Sequence, residues 1–172
     1  MAAPASGLIG ADRCAAAAAE RHHRLGLRRK HLCRSTQELF RELLVELKQA
    51  YERHAPRDRM QAICLAFVDF WLQRQDDYRA IFMVVDKPQG EHDRYFVDSA
   101  QVLQRMDVLR RAIVQAQASG QLRPGDPHAI QNVLLCGVQG IALSLIGMPE
   151  FPWGDPDQLK RATVGALVVG LG

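Results

Sequence analysis

The sequence is poor in the motifs on which enzymes, metal sites and secreted domains depend. Its four cysteines are not closely spaced, so they give neither a disulfide framework nor the Cys/His spacing of a zinc site. It contains no Gly-rich phosphate loop, no Gly-x-Ser-x-Gly nucleophile motif and no His-Glu-x-x-His metal motif. We therefore expect a protein that is not an enzyme and that holds no cofactor or metal.

Signals for export and membrane insertion are also lacking. Asp12 and Arg13 interrupt the Ala-rich start before an apolar signal segment forms. The longest apolar stretch, residues 133–148, contains Gln139 and is shorter than a bilayer span. We expect a protein of the reducing cytoplasm with free thiols and no membrane contact.

Aromatic residues make up only 6% of the chain, whereas hydrophobic residues make up 48%, so aliphatic side chains must fill the core. No segment shows the alternation typical of strands. Apolar residues recur at helical spacing instead, which predicts an all-α fold. The first clear series follows a capping box formed by Ser35 and Glu38. Its members are Leu39, Phe40, Leu43, Leu44, Leu47 and Tyr51.

Capping residues, glycine and proline indicate where the other helices begin and end. A second helix is predicted from about residue 58 to 74, followed by a short helix capped by Asp76 or Asp77. A long helix over residues 93–118 should end at Gly120. The dipeptides Asp126-Pro127 and Asp155-Pro156 each combine an N-cap with proline in the first turn, which predicts two final helices.

The first of these final helices is apolar on nearly all faces, and such a helix must be buried on all faces. A second subunit is one cover, which predicts a two-fold four-helix interface in a homodimer. The alternative is a helix at the centre of a monomer. The predicted interface residues are Val133, Leu134, Gly137, Val138, Ile141, Leu145, Leu159, Ala162 and Ala166.

The middle helices carry most of the aromatic and sulfur-containing side chains. Such a set is typical of a pocket for a small apolar ligand, although plain core packing has the same composition. The candidate pocket residues are Phe67, Phe70, Trp71, Tyr78, Phe82, Met83 and Met106.

Positive charge is concentrated near the N-terminus. Residues 13–34 contain seven basic residues and one acid, a net charge of +6, whereas the whole chain carries +3. The rest is therefore mildly acidic, and a basic segment of this kind suits contact with phosphate. We expect a disordered arm over residues 1–12, a short basic head over 13–34 and a helical domain over 35–172.

Three segments share their order and spacing with one family. They are residues 35–44 (STQELFRELL), residues 67–70 (FVDF) with 77–82 (DYRAIF), and residues 119–127 (SGQLRPGDP). They resemble, in turn, the first regulatory helix, the Tyr-Arg-x-x-Phe junction and the turn before the dimerisation helices of TetR-type (TetR/AcrR) repressors. The resemblance implies a homodimeric transcriptional repressor with a helix-turn-helix head, a small hydrophobic effector and a double-stranded DNA operator.

The head departs from this family's pattern. Residues 25–33 (LGLRRKHLC) align with the end of the helix-turn-helix motif, but the family's first helix and its closing His-Phe pair have no counterpart. The head is then either a divergent DNA-binding segment or the product of an upstream truncation or frameshift. Without a working head, the protein would be a dimerising small-molecule-sensing module. The candidate DNA-contacting residues are Arg28, Arg29, Lys30, His31 and Arg34.

Overall fold

A computed structural model of the chain describes residues 38–83 and 107–172, and within these ranges it contains helices and no strand. This confirms the all-α fold class. Phe40–Gly172 form one compact unit. The described elements are α1 (38–53), α2 (Arg59–Gln73), α3 (Gln75–Tyr78), a π-helical turn (Arg79–Met83), α4 (Asp107–Ala118), α5 (Pro127–Gly147) and α6 (Pro156–Val169).

Several sequence expectations fall outside the described residues. These are the arm over residues 1–12, the basic head over 13–34, the Ser35 cap and the part of the long helix that precedes residue 107.

The final two helices begin as the sequence predicts. Asp126 Oδ1 accepts a hydrogen bond from the His128 backbone N–H at 3.0 Å, and Asp155 Oδ1 accepts one from Asp157 at 2.9 Å. In each case the proline that follows the cap occupies the first turn. Gly120, which follows α4, has a φ of 74° and so adopts the left-handed conformation expected of a helix-ending glycine.

The core is built around α2, which packs against α4, α5 and α6. Buried apolar side chains recur at helical spacing on α2, α4 and α5, while α6 contributes Val164 and α1 adds Phe40, Leu43 and Leu47. Burying one such side chain fully contributes roughly 1.5–3 kcal/mol. The fold therefore depends chiefly on the apolar contacts of α2.

One ion-pair cluster reinforces the contact between α2 and α6. Lys160 of α6 is buried, and its Nζ contacts carboxylate oxygens of Asp69 on α2 and Asp157 on its own helix. Desolvation alone would lower the pKa of Lys160, but the hydrogen bonds to the two carboxylates outweigh it and raise the pKa. The hydrogen bond and charge of Lys160 lower the pKa of Asp157.

The region after α2 differs from the prediction. Neither Asp76 nor Asp77 caps α3, because both lie within its first turn, and Arg74, which stands at the cap position, makes no side-chain hydrogen bond to the helix. The next five residues form a π-helical turn, a rare arrangement that often marks functional positions. Arg79 joins this turn to the end of α5, since its Nη2 donates to the Ile146 carbonyl at 3.0 Å.

The apolar stretch at residues 133–148 is part of a longer helix than expected. With 21 residues, α5 is long and apolar enough to span a bilayer, and fewer than half of the residues in its most apolar segment are buried. The expectation that it is too short is therefore wrong. Because α5 packs against α2, α4 and α6, it also has the contacts of a helix in a bundle core.

Candidate ligand site and association surface

Trp71 is the centre of an aromatic cluster, which we call the Trp71 cluster. Five other rings surround its indole in edge-to-face or steeply inclined orientations, which are favourable geometries for aromatic pairs. The centroid distances from Trp71 are 5.0 Å to Phe70, 5.3 Å to Phe82, 5.6 Å to Tyr78, 5.8 Å to Phe40 and 6.4 Å to Phe67.

The structure therefore brings together five of the seven candidate pocket residues, and their contacts are those of a packed cluster. Phe67, Phe70, Trp71 and Tyr78 are buried, whereas Phe82 on the π-helical turn is 37% exposed. The clustering agrees with a ligand site and also with the alternative of core packing.

The other two candidates are not placed in this cluster. Met83 is 38% exposed and lies against α5, where its Cε is 3.2 Å from the position that a Cβ on Gly147 would take. Met106 lies outside the described residues. The sequence analysis placed Phe40 on the apolar face of α1 but did not include it in the pocket. Its spacing from Leu43 and Leu47 was the available signal.

Tyr78 connects the Trp71 cluster to α5. Its hydroxyl donates a hydrogen bond to the Gln139 carbonyl at 3.3 Å, and burial raises the pKa of Tyr78 to about 12. The hydroxyl thus stays protonated at neutral pH and keeps its role as a donor. Together with the bond from Arg79 to Ile146, this contact joins the residues after α2 to two positions on α5.

The indole N–H of Trp71 has no hydrogen-bond partner. Of the described residues, it is the one case of a buried side-chain nitrogen or oxygen without a partner. Buried polar groups in proteins are nearly always paired, because an unpaired donor loses its bond to water without replacement. This donor is therefore an atypical feature at the centre of the cluster.

A wide groove between α1 and α2 is a different kind of surface. It is open to solvent, and charged side chains such as Arg41, Glu46, Asp69 and Arg74 contribute to its walls. None of its lining residues belongs to the Trp71 cluster. Its charge and openness do not suit a small apolar ligand, which proteins enclose in apolar surroundings.

Exposed small and apolar residues form a stripe on each of α5 and α6, and we call the two stripes together the α5–α6 face. Val133 is 47% exposed, Leu143 46% and Val169 79%. The two helices meet closely, because a Cβ on Gly137 would lie only 2.3 Å from Leu167 Cδ1. The face consists of Val133, Cys136, Gly140 and Leu143 on α5, and Ala162, Ala166 and Val169 on α6.

The predicted interface residues divide between this face and the core. Leu134, Val138 and Ile141 are buried inside the chain itself, so their assignment to a surface between subunits is wrong. The physical reason is that α5 is apolar on several faces, and one of these packs on α2 and α4.

The remaining predicted interface residues have other positions. Gly137, Leu145 and Leu159 are half-buried, and Gly137 makes room for a leucine of the same chain. Val133, Ala162 and Ala166 are exposed on the α5–α6 face, as an interface requires. The face also includes residues that the sequence analysis did not select, namely Cys136, Gly140, Leu143 and Val169.

The candidate DNA-contacting residues lie outside the described residues. They are Arg28, Arg29, Lys30, His31 and Arg34. Over residues 38–83 and 107–172, no three His, Cys, Asp or Glu side chains form a group that could hold a metal ion.

No protein-family model matches the sequence, and no curated protein matches it either. A solved structure described as that of a protein with unknown function from Rhodococcus sp. RHA1 is similar to this chain, with a TM-score of 0.63 and 25% sequence identity. The match covers 81% of this chain and 71% of the Rhodococcus chain. The helical arrangement is therefore one that a second protein shares.

Proposed function

We propose that this protein is a ligand-responsive transcriptional repressor of the TetR type, acting as a cytoplasmic homodimer without catalytic activity. In this proposal the α5–α6 face joins two copies, the Trp71 cluster receives a small hydrophobic effector, and residues 28–34 contact double-stranded DNA. The observation that carries it is the exposed apolar α5–α6 face, which lies on the two helices that the family resemblance assigns to dimerisation.

An exposed apolar surface of this kind supports a protein partner, because contiguous apolar patches on soluble proteins usually mark interaction sites. A second copy fits well, since a two-fold axis brings the same patch of each copy together. Gly140, Ala162 and Ala166 are small, so they allow helix backbones of two copies to approach closely.

The contacts between the Trp71 cluster and α5 supply a physical route for regulation. Tyr78 and Arg79 donate to backbone carbonyls of Gln139 and Ile146 on α5. A ligand that moves Tyr78 or the π-helical turn therefore acts on the helix that carries the α5–α6 face. Release of DNA then requires the ligand to bind more tightly to the arrangement of subunits that DNA disfavours.

The experiment that tests this function is a fluorescence anisotropy titration of the full chain against a duplex covering its own promoter region. A scrambled duplex of equal length is the control, and both are measured at several salt concentrations. A repressor binds the promoter selectively, and its affinity falls as salt rises because phosphate contacts release counterions. Equal, weak binding to both duplexes would contradict operator recognition.

The second candidate function is a dimerising small-molecule-sensing module without DNA-binding activity. The departure of residues 25–33 from the family's helix-turn-helix pattern favours it. This candidate keeps the α5–α6 dimer and the effector site, and it predicts the weak, unselective outcome of the same titration.

A further inference from the structure

The strongest unexplained feature is the N–H of Trp71. Its indole is fully buried, and the N–H meets no acceptor among residues 38–83 and 107–172. An indole N–H only donates, so its missing partner must be an acceptor. The nearby hydroxyl of Tyr78 donates to the Gln139 carbonyl of α5, and its oxygen accepts no hydrogen bond from the Trp71 N–H.

The rings that contact this indole in the described part of the chain are uncharged and largely apolar. The described ring partners of Trp71 are four phenylalanines and Tyr78. The cations that follow Trp71 in sequence are engaged elsewhere, since Arg74 pairs with Glu42 and Glu46, and Arg79 bonds to Asp76 and the end of α5. An anionic guest would therefore bury its charge without a free cation from these described residues, which is strongly unfavourable, and a cationic group cannot accept a hydrogen bond from the N–H.

The side of the cluster formed by the π-helical turn suits the entry of a guest. Phe82 is the most exposed of the six clustered rings, and it stands 5.3 Å from the Trp71 ring and 4.8 Å from that of Tyr78. The π-helical turn that carries it is a geometry found frequently at functional sites. A modest displacement of Phe82 would let a flat molecule reach the indole between aromatic rings.

We propose that the Trp71 N–H is the polar anchor of the effector site, and that the effector is an uncharged, aromatic or otherwise flat apolar molecule with one carbonyl or ether oxygen. The rings supply apolar contact, while the single donor fixes the orientation of the guest. This inference rests on the proposed effector site and adds the chemical class of its ligand.

A matched pair of probes tests the anchor. Methyl naphthyl ketone carries the acceptor, and isopropylnaphthalene has nearly the same shape without it. Equilibrium dialysis measures the affinity of both for the full chain and for Trp71→benzothienylalanine, which replaces only the N–H by sulfur. We expect the replacement to lower the affinity for the ketone about tenfold, because one hydrogen bond is lost, and to change the affinity for the hydrocarbon by less than about twofold.

A second variant and a spectroscopic readout guard against an effect on folding. Trp71→Phe keeps an aromatic ring and should give the same selective loss, with thermal unfolding to confirm that both variants are folded. The infrared carbonyl stretch of the bound ketone should lie at lower frequency in the unmodified protein than in either variant. A purely structural role of Trp71 would not shift this band.

The outcomes separate two failures. If both probes bind and the variants weaken them equally or not at all, the anchor is refuted while the effector site remains. If neither probe binds the unmodified protein up to its solubility limit, the anchor is refuted together with an effector site in the Trp71 cluster. The promoter titration uses no probe, so the presence or absence of selective promoter binding tests the repressor function independently of the Trp71 anchor.

Discussion

The close contact between α5 and α6 at Gly137 yields a prediction that the structure makes quantitative. A Cβ at Gly137 would lie 2.3 Å from Leu167 Cδ1 and 3.1 Å from Cδ2, both well inside contact distance. A Cβ at Gly140, three residues along the same helix, would meet no atom within 4 Å from the described residues beyond its own stretch of helix backbone. The two glycines thus form a matched pair for substitution by alanine.

Alanine in the middle of a helix is favoured over glycine by about 1 kcal/mol, so Gly140→Ala should stabilise the fold by roughly 0.5–1 kcal/mol. Gly137→Ala has the same gain but forces Leu167 to move, and such overpacking typically costs about 1–3 kcal/mol. We therefore expect Gly137→Ala to be neutral or destabilising by up to about 2 kcal/mol, given these opposing magnitudes.

Urea unfolding followed by circular dichroism measures both variants in the Leu143→Lys background, which disrupts the proposed dimer, because Gly140 lies on the α5–α6 face and its substitution would otherwise change association as well. Adding Leu167→Ala to Gly137→Ala should relieve the clash, giving a coupling of about 1 kcal/mol or more between the two sites. The reasoning fails if Gly137→Ala stabilises the protein as much as Gly140→Ala does, or if the coupling is zero.

Three further predictions follow from the same contacts. Leu143→Lys should convert a dimer to a monomer in sedimentation equilibrium, whereas Val114→Lys, at a similarly exposed position (48%) on α4, should leave the dimer intact; equal effects would contradict the α5–α6 face. Lys160→Met should destabilise the protein at pH 7 by about 1–3 kcal/mol in urea unfolding, as charge-assisted hydrogen bonds are lost. Because folding raises the pKa of Lys160, its contribution to the free energy of unfolding is fully present below the unfolded pKa of 10.5 and disappears as pH rises through the folded pKa. A destabilisation by Lys160→Met that stays constant over this pH rise would refute the ion-pair account. In the Leu143→Lys variant, which lacks the proposed dimer contact, and with the two head cysteines replaced by serine, Cys136 should react quickly with a thiol reagent and Cys64 only on unfolding, because burial raises the pKa of Cys64 to about 12; equal rates would refute the assigned burial.

Local signals in the sequence were sufficient for the starts of α5 and α6 and for the end of α4, although not for the start of α3. Asp126 and Asp155 each precede a proline, and both positions bond to the first turn as predicted. Gly120 takes the left-handed conformation that its place after α4 requires. These features depend on a few consecutive residues, so the physics that determines them is visible without tertiary contacts.

Local sequence signals did not predict which face of a helix packs against which neighbouring helix. Residues 133–148 are apolar on several faces, so periodicity does not distinguish Leu134, which is buried in the chain, from Val133 beside it, which is exposed. Cys136, in the same apolar stretch, is likewise exposed.

The Trp71 cluster was predictable only in part. The aromatic residues of α2 and Tyr78 share helical spacing, which indicated that they lie together. Phe40 joins them from α1 across a separation that no local pattern encodes. The π-helical turn and the unpartnered N–H of Trp71 depend on tertiary packing, and nothing in the sequence signals either.

The most direct test of the account is promoter binding by the protein with and without an intact α5–α6 face. Fluorescence anisotropy with the promoter duplex would compare the unmodified chain, Leu143→Lys and the Val114→Lys control at one salt concentration. Two linked heads bind more tightly than one, so we predict that Leu143→Lys lowers promoter affinity by roughly 10²–10⁴-fold while the control matches the unmodified chain. Selective promoter binding that Leu143→Lys leaves unchanged would contradict a repressor that reads its operator through this dimer.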